Sequence, residues 1–264
     1  TNLNRKAHYI DIKGNMMNIF SFIGFIIAVL VVLVGMRLTS DNMNIFFDWA
    51  SLFIVLGGTF AATSITFQFN KIVSILKIFF YHIVGGQKFN YAEQISEIMK
   101  VSESYRKGEN LDRHVSKVND PFFKECLELI NDGIMEKDHL LRLLDDRINN
   151  LNYIETENAQ KIKTLSQFPP AFGMMGTCIG MIVLLANLGG EDAIKKIGPA
   201  MGICLITTLY GVIIANLGFI PVAENLLHVA KKKHLKNVII LEGVKLPSEK
   251  VNNVIVAEEL NSFL

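Results

Sequence analysis

The sequence predicts an all-α polytopic membrane protein, with four transmembrane helices and a cytoplasmic helical domain inserted between the second and third. Three observations predict it. Two stretches late in the chain, Phe168–Leu188 and Ile197–Val222, carry no charge. Each is about 20 residues or slightly longer, enough to cross a bilayer as a helix. Two further apolar runs lie early, at about Met17–Met36 and from about Phe46 or Asp48 to Phe69. Between the two pairs, residues 71–166 are polar and charged and read as soluble helices. Half of the 264 residues are hydrophobic, and clustering rather than abundance marks the spans.

The elements follow in order. Residues 1–16 are polar and basic, with Arg5, Lys6 and Lys13, and form a cytoplasmic segment. The run after them is too long for a signal-peptide core and lacks a small-residue cleavage site. Residues 17–69 hold spans one and two, joined by a short polar link from Arg37 to Asn44. Asp48, at the start of span two, suits a helix N-terminus, where an acid meets the positive end of the dipole. Residues 70–166 form the cytoplasmic domain. Asn90 with Glu93 reads as a helix start and Gly108 as a stop; Asp120-Pro121 is a second start, closed by Asp132-Gly133. Leu141, Leu144, Ile148 and Leu151 form one apolar stripe on a long helix that continues to about Thr164 and enters the third span. Residues 167–223 hold spans three and four. Residues 224–264 are a cytoplasmic tail, helical over Glu224–Leu241, broken at Gly243 and Pro247, with a last amphipathic helix over about Glu249–Phe263.

Charge near the span ends orients the chain. Lys71 and Lys77 follow span two, Lys161 and Lys163 precede span three, and Lys231, Lys232, Lys233 and Lys236 follow span four. The two short links mix signs. Both termini and the large loop are therefore expected in the cytoplasm. A net charge of +1 provides no basic surface for nucleic acid. Cys126, Cys178 and Cys204 have neither metal-ligand nor CxxC spacing and read as small core residues. No nucleotide loop, HExxH or nucleophile motif occurs, so an enzyme reading has no residue to rest on.

Spans three and four are unusual for plain anchors. Gly173, Thr177 and Gly180 recur at helical spacing, Gly176 and Gly180 make a small-xxx-small pair, and Gly198 with Gly202 makes another. Thr207, Gly211 and Ala215 form a small stripe. Such stripes let backbones approach closely in a membrane. Thr177, Thr207 and Thr208 admit two roles: a membrane threonine bonds its own helix carbonyl, or its hydroxyl replaces a water around a passing cation. Thr207 and Thr208 are about 100° apart on one turn, so at least one can face a groove. Pro170 and Pro199 stand near the helix starts and Pro221 near the end of span four, where missing N–H groups free carbonyls. Ion pathways ordinarily need an ionisable group at membrane depth. No span has one away from its ends, so a conducting assembly requires a carboxylate from a partner.

Three blocks in register, FPPAFGMMGTCIG, GPAMGICLITTLYG and NLGFIPVAENL, resemble the MotA/PomA family of bacterial flagellar stator subunits, most closely its sodium-driven PomA branch. More weakly, the resemblance extends over about residues 17–250. The segment DWASLFIVLGGT resembles the family's second span, with Asp48 at the position of an acid at its outer end. SYRKGENLDRHV resembles the charged segment facing the rotor protein FliG: Arg106 and Lys107 match its basic pair, while His114 occupies its acidic position and Asp112 and Glu109 are the nearest acids.

The resemblance implies a stator subunit of the bacterial inner membrane, assembled as a homo-pentamer around two MotB/PomB-type subunits. A single span of each of those supplies the ion-binding aspartate. No cofactor is implied beyond the transported cation, sodium by the PomA likeness at the threonines, with a proton as the alternative. Thr177, Thr207 and Thr208 would line the pathway. Pro170 and Pro221 would shape the helix ends that couple it to the loop. Arg106, Lys107 and Asp112 would face the rotor. Two other readings stand beside this one: an ExbB/TolQ-type proton channel, whose members have three spans with the large loop after the first, and a non-conducting membrane scaffold.

Overall fold

A computed structural model of the chain describes residues 23–67, 91–106, 120–133, 136–189 and 193–248, together with positions 115, 118, 258, 260 and 262. Among them the regular structure is helical, with no strand. Helix α1 is Ile23–Thr39. A 3₁₀ turn, Met43–Phe46, leads to α2, which comprises Trp49–Leu52, a π turn at Phe53–Gly57 and Gly58–Thr66. Helices α3 (Tyr91–Arg106), α4 (Pro121–Asp132), α5 (Lys137–Leu165) and α6 (Phe168–Asn187) follow. Helix α7 (Ala193–Ile213) runs through a π turn, Ile214–Phe219, into α8 (Ile220–Ser248). By length and composition, Met43–Thr66, Lys137–Asn187 and Ile194–Lys245 are long and apolar enough to cross a membrane, and α1 is a shorter apolar helix. The expected N-terminal segment, residues 17–22 of span one and the helix expected over 249–263 lie outside the described residues.

Packing divides the chain into two compact units, one centred on residues 87–156 and 228–264, the other on 19–86 and 157–227. In the first, Ile95, Ile98 and Val101 of α3 meet Phe122, Phe123, Cys126 and Leu127 of α4, Leu140, Leu144 and Ile148 of α5, and Ile239, Ile240 and Leu241 of α8. The apolar stripe expected on α5 is present, centred on Leu140 and Leu144 with Leu141 and Leu151 at its margin. Helix α4 begins and ends as its sequence dictates. The Asp120 carboxylate accepts the Phe122 and Phe123 N–H groups at 3.0 Å each. Pro121 takes the first turn, where no donor is missed, and Gly133 closes the helix with φ 59°, a conformation that costs glycine nothing.

The expected break at Gly243 is absent. Helix α8 continues to Ser248, and Gly243 serves packing instead: the Ile98 side chain fills the space a Cβ would need. The residues read as a tail thus contribute to this unit's core. Two of the lysines that oriented the chain are also engaged in ion pairs. Lys233 pairs with Glu155 at 2.6 Å, and Lys236 pairs with the second oxygen of the capping Asp120. The Tyr91 hydroxyl donates to Lys232 O at 3.3 Å, and burial pushes its pKa up to about 12.

In the second unit, Ala159, Ile162 and Leu165 of α5 pack on Val222, Ala223 and Leu226 of α8, with Phe67, Phe168 and Phe219 around them. Helix α2 rests on α6 and α7. Its buried positions, Ser51, Val55, Thr59 and Thr63, recur every four residues. The Thr59 and Thr63 hydroxyls donate to carbonyls of their own helix, at 2.5 and 2.6 Å.

Helices α6 and α7 meet along a seam of small residues. A Cβ on Gly173 would lie 3.0 Å from Thr207 O; one on Gly176, 2.5 Å from Thr207 Cγ2; one on Gly180, 2.5 Å from Cys204 Sγ and 3.0 Å from Ala200 O. A Cβ on Gly211 would strike Pro169 O. The seam therefore uses Gly173, Gly176 and Gly180 against Ala200, Cys204, Thr207 and Gly211. The other expected pair, Gly198 and Gly202, has nothing within 4 Å of the added Cβ among the described residues.

Two outcomes are expected. Gly176→Val should lower the thermal midpoint of the detergent-solubilised protein sharply, since overpacking costs about 1–3 kcal/mol, whereas Gly198→Ala should leave it unchanged. Asp120→Asn should keep the cap and lose the ion pair with Lys236. Asp120→Ala loses both and should be about 1 kcal/mol less stable again, measured as the difference in thermal midpoint between the two variants.

Candidate ion-pathway site

The seam brings the three threonines to one place and gives them different surroundings. Thr207 is fully buried. Its side chain occupies the notch at Gly176, and its hydroxyl donates within its own helix, to Ile203 O at 2.8 Å or Cys204 O at 3.1 Å. Thr177 and Thr208 are half-buried, and their hydroxyl oxygens are 2.7 Å apart across the two helices. Thr177 Oγ1 also lies 3.2 Å from Gly173 O and 3.0 Å from Cys204 O, and Thr208 Oγ1 3.3 Å from Cys204 O. Of the two threonines on α7, Thr208 joins the inter-helix pair and Thr207 fills the seam.

The proton count shows what this arrangement can do. Each hydroxyl has one proton to give and two lone pairs to offer. Cys204 O has three hydroxyl oxygens within reach, more than its two lone pairs accommodate. The Thr177–Thr208 bond has no fixed direction, because either oxygen can donate. The result is a half-buried cluster of neutral oxygens whose protons can turn away together, leaving lone pairs toward a cation. It adds no charge of its own. Among the described residues no group of three or more His, Cys, Asp or Glu side chains converges on a metal site.

Asp48 takes the capping role. Its Oδ2 accepts the Ser51 N–H and the Ser51 hydroxyl, both at 2.6 Å. Its backbone N–H donates to the Tyr210 hydroxyl at 3.2 Å, and that hydroxyl donates to Phe46 O at 2.7 Å. Tyr210 lies midway along the apolar stretch Ile197–Val222. One phenol thus satisfies two backbone groups at the start of α2 and ties that start to α7. Sequence reasoning passed over Tyr210, although a tyrosine inside an apolar span needs a partner for its O–H.

Pro170 is half-buried in the first turn of α6, directly after the buried Pro169. Pro221 is exposed and is the second residue of α8. Immediately before it the helix is widened: the Ile220 N–H bonds Ala215 O, five residues back. A proline has no N–H to restore the tighter pattern, which accounts for a π turn at this point. Arg106 is the last residue of α3. Lys107 and Asp112 lie outside the described residues, as do Glu109 and His114.

Comparison with known proteins gives one answer. Residues 114–237 match the MotA/TolQ/ExbB proton channel family. Motility protein A of Borreliella burgdorferi is 32% identical over 252 residues, covering 94% of each chain. Chemotaxis protein PomA of Vibrio alginolyticus is 27% identical, covering 94% of this chain and 96% of its own. The fold matches that of the flagellar MotAB stator complex from Bacillus subtilis, with a TM-score of 0.82 over 93% of this chain and 96% of that one, at 22% identity. The chain belongs to the MotA/TolQ/ExbB family and, within it, to the MotA/PomA group of flagellar stator subunits.

Proposed function

We propose that this chain is the ring-forming subunit of a bacterial flagellar stator in the inner membrane, with both termini and the 70–166 domain in the cytoplasm. Five copies surround two MotB/PomB-type subunits, and the assembly converts cation flow into torque on the rotor. The observation that carries the reading is the pair of half-buried hydroxyls, Thr177 and Thr208, held 2.7 Å apart on two apolar helices that carry no Asp, Glu, Lys, Arg or His away from their ends. Such a wall coordinates without charging. It needs a carboxylate from outside the chain, and a one-span partner with an intramembrane aspartate supplies it. Whole-length similarity to Motility protein A and PomA favours this over an ExbB/TolQ-type channel or a scaffold.

The mechanism follows from electrostatics. An ionised carboxylate is held away from a low-dielectric wall by the cost of losing its water. A cation arriving beside it removes most of that charge, and the neutralised pair can then lie against the apolar faces of α6 and α7. The ring steps around the partner, and the cytoplasmic domain passes the step to FliG. The coupling ion is sodium. A proton needs only a carboxylate and water, whereas a dehydrated sodium ion needs several oxygens, and hydroxyls and carbonyls provide them without adding charge. Thr177, Thr208 and the Cys204 carbonyl are the nearest set, and Thr207 acts in the same seam by filling the Gly176 notch. Pro170 and Pro221, at the ends of these helices, shape the connection to the loop.

The test replaces the stator of a motile host by this chain and its partner and records rotation against external sodium at fixed pH and membrane potential. Speed should rise with sodium to saturation. Thr177→Ala and Thr208→Ala should each raise the half-saturating concentration about tenfold, the equivalent of roughly 1.4 kcal/mol. Full speed in sodium-free potassium buffer, abolished by a protonophore, would assign the proton instead. Reversing both charges at Arg106 and Lys107 should cut torque at unchanged stator assembly, measured as stall torque and as the fluorescence of labelled stators at the motor.

A further inference from the structure

From sequence, Cys204 reads as a small core residue. The structure gives its side chain more specific work. The residue is 7% exposed. Its sulfur fills the notch at Gly180, where a Cβ would lie 2.5 Å from Sγ. The thiol donates to Thr177 O at 3.3 Å. In the other direction, the Thr177 hydroxyl lies 3.0 Å from Cys204 O. Thr177 and Cys204 are therefore joined twice, hydroxyl to carbonyl one way and thiol to carbonyl the other.

This double connection matters because of where it stands. Thr177 supplies one half of the hydroxyl pair, and Thr208, one turn beyond Cys204, supplies the other. A single bond between α6 and α7 leaves them free to slide or roll about it. Two opposed bonds and a sulfur seated in a glycine notch define both the axial register and the roll at this level. A change in either alters the separation of the two hydroxyl oxygens. The notch at Gly176, filled by Thr207, sets the register on the next turn but makes no hydrogen bond across the seam among those formed by its hydroxyl.

We propose that Cys204 is a positioning residue for the ion site: its thiol, bonded to Thr177 O and seated against Gly180, holds α6 and α7 at the register in which the Thr177 and Thr208 hydroxyls meet. The proposal rests on the reading of that pair as part of the ion pathway. Cys204 touches no ion through its side chain; it acts through Thr177.

The experiment records rotation speed against external sodium for the complete stator carrying Cys204→Ala, Cys204→Ser or Thr177→Ala, with labelled stators counted at the motor. Cys204→Ala removes the donor and opens the notch. It should raise the half-saturating sodium concentration about threefold, the scale of one modest hydrogen bond, with top speed and stator number retained. Cys204→Ser restores a donor and should recover most of the shift. The proposal is overturned if Cys204→Ala superimposes on the parent, if alanine and serine shift the curve equally, or if stator number falls in step with speed. Thr177→Ala separates the two levels. If it shifts the curve while Cys204→Ala does not, the pathway reading stands and the cysteine assignment is wrong. If neither variant shifts the sodium curve, the pathway reading fails and the proposal fails with it.

Discussion

Two apolar helices in a bilayer gain little by touching each other, because lipid tails are as apolar as leucine. The contact between α6 and α7 therefore depends on close approach, and the glycines at 173, 176 and 180 permit it. With side chains removed from one face, backbone carbonyls and hydroxyls of the two helices come within hydrogen-bonding range. Thr177 reaches Thr208 and Cys204 O only because no Cβ stands at Gly173 or Gly176 to hold α7 away. The same approach leaves a flat pair on which α2 lies by its own small residues, Ser51, Thr59 and Thr63. A tenth of an ångström matters along this seam in a way that it does not at Gly198 or Gly202, which face open space.

The unit built on residues 87–156 and 228–264 is held by more familiar means, and these were the most legible in the sequence. Asp120, Pro121 and Gly133 each carry a strong positional preference with a local cause, so the start and end of α4 follow from three letters. The stripe on α5 was legible because its period is helical and its opposite face is charged. Gly243 was not. Read locally, a glycine followed by a proline four residues on is a stop signal. In the fold it is a hole for Ile98, and nothing near Gly243 in sequence announces a residue some 145 positions away (243 − 98). The lysine run after span four was visible as charge, but its pairing with Glu155 and Asp120 depends on tertiary contact.

At the candidate site, residue type was readable and orientation was not. Hydroxyls in uncharged spans stand out in any scan, and helical spacing puts Thr207 and Thr208 on adjacent faces. Which of them meets Thr177 depends on the roll of α7, and the glycine notches set that roll. Tyr210 and Cys204 escaped because each has an adequate local explanation, as a large apolar and a small apolar residue. Their polar atoms matter only through partners elsewhere: Phe46 and Asp48 for one, Thr177 for the other.

The π turn at Ile214–Phe219 bears on how the chain tolerates change in length. A π turn holds one more residue per turn than the helix around it, so it is equivalent to a single-residue insertion stored in the ladder. Removing one residue from Ile214–Phe219 would let the ladder close as ordinary α-helix. Because the extra residue is taken up locally, the residues on either side would keep their facing: Ala200, Cys204, Thr207 and Gly211 toward α6, and Val222, Ala223 and Leu226 toward Ala159, Ile162 and Leu165. A deletion in the ordinary α-helical part of α7 has no such slack and would turn Val222, Ala223 and Leu226 by about 100° away from those partners. The wide turn is therefore a place where the helix can lose a residue without changing which side chains it presents.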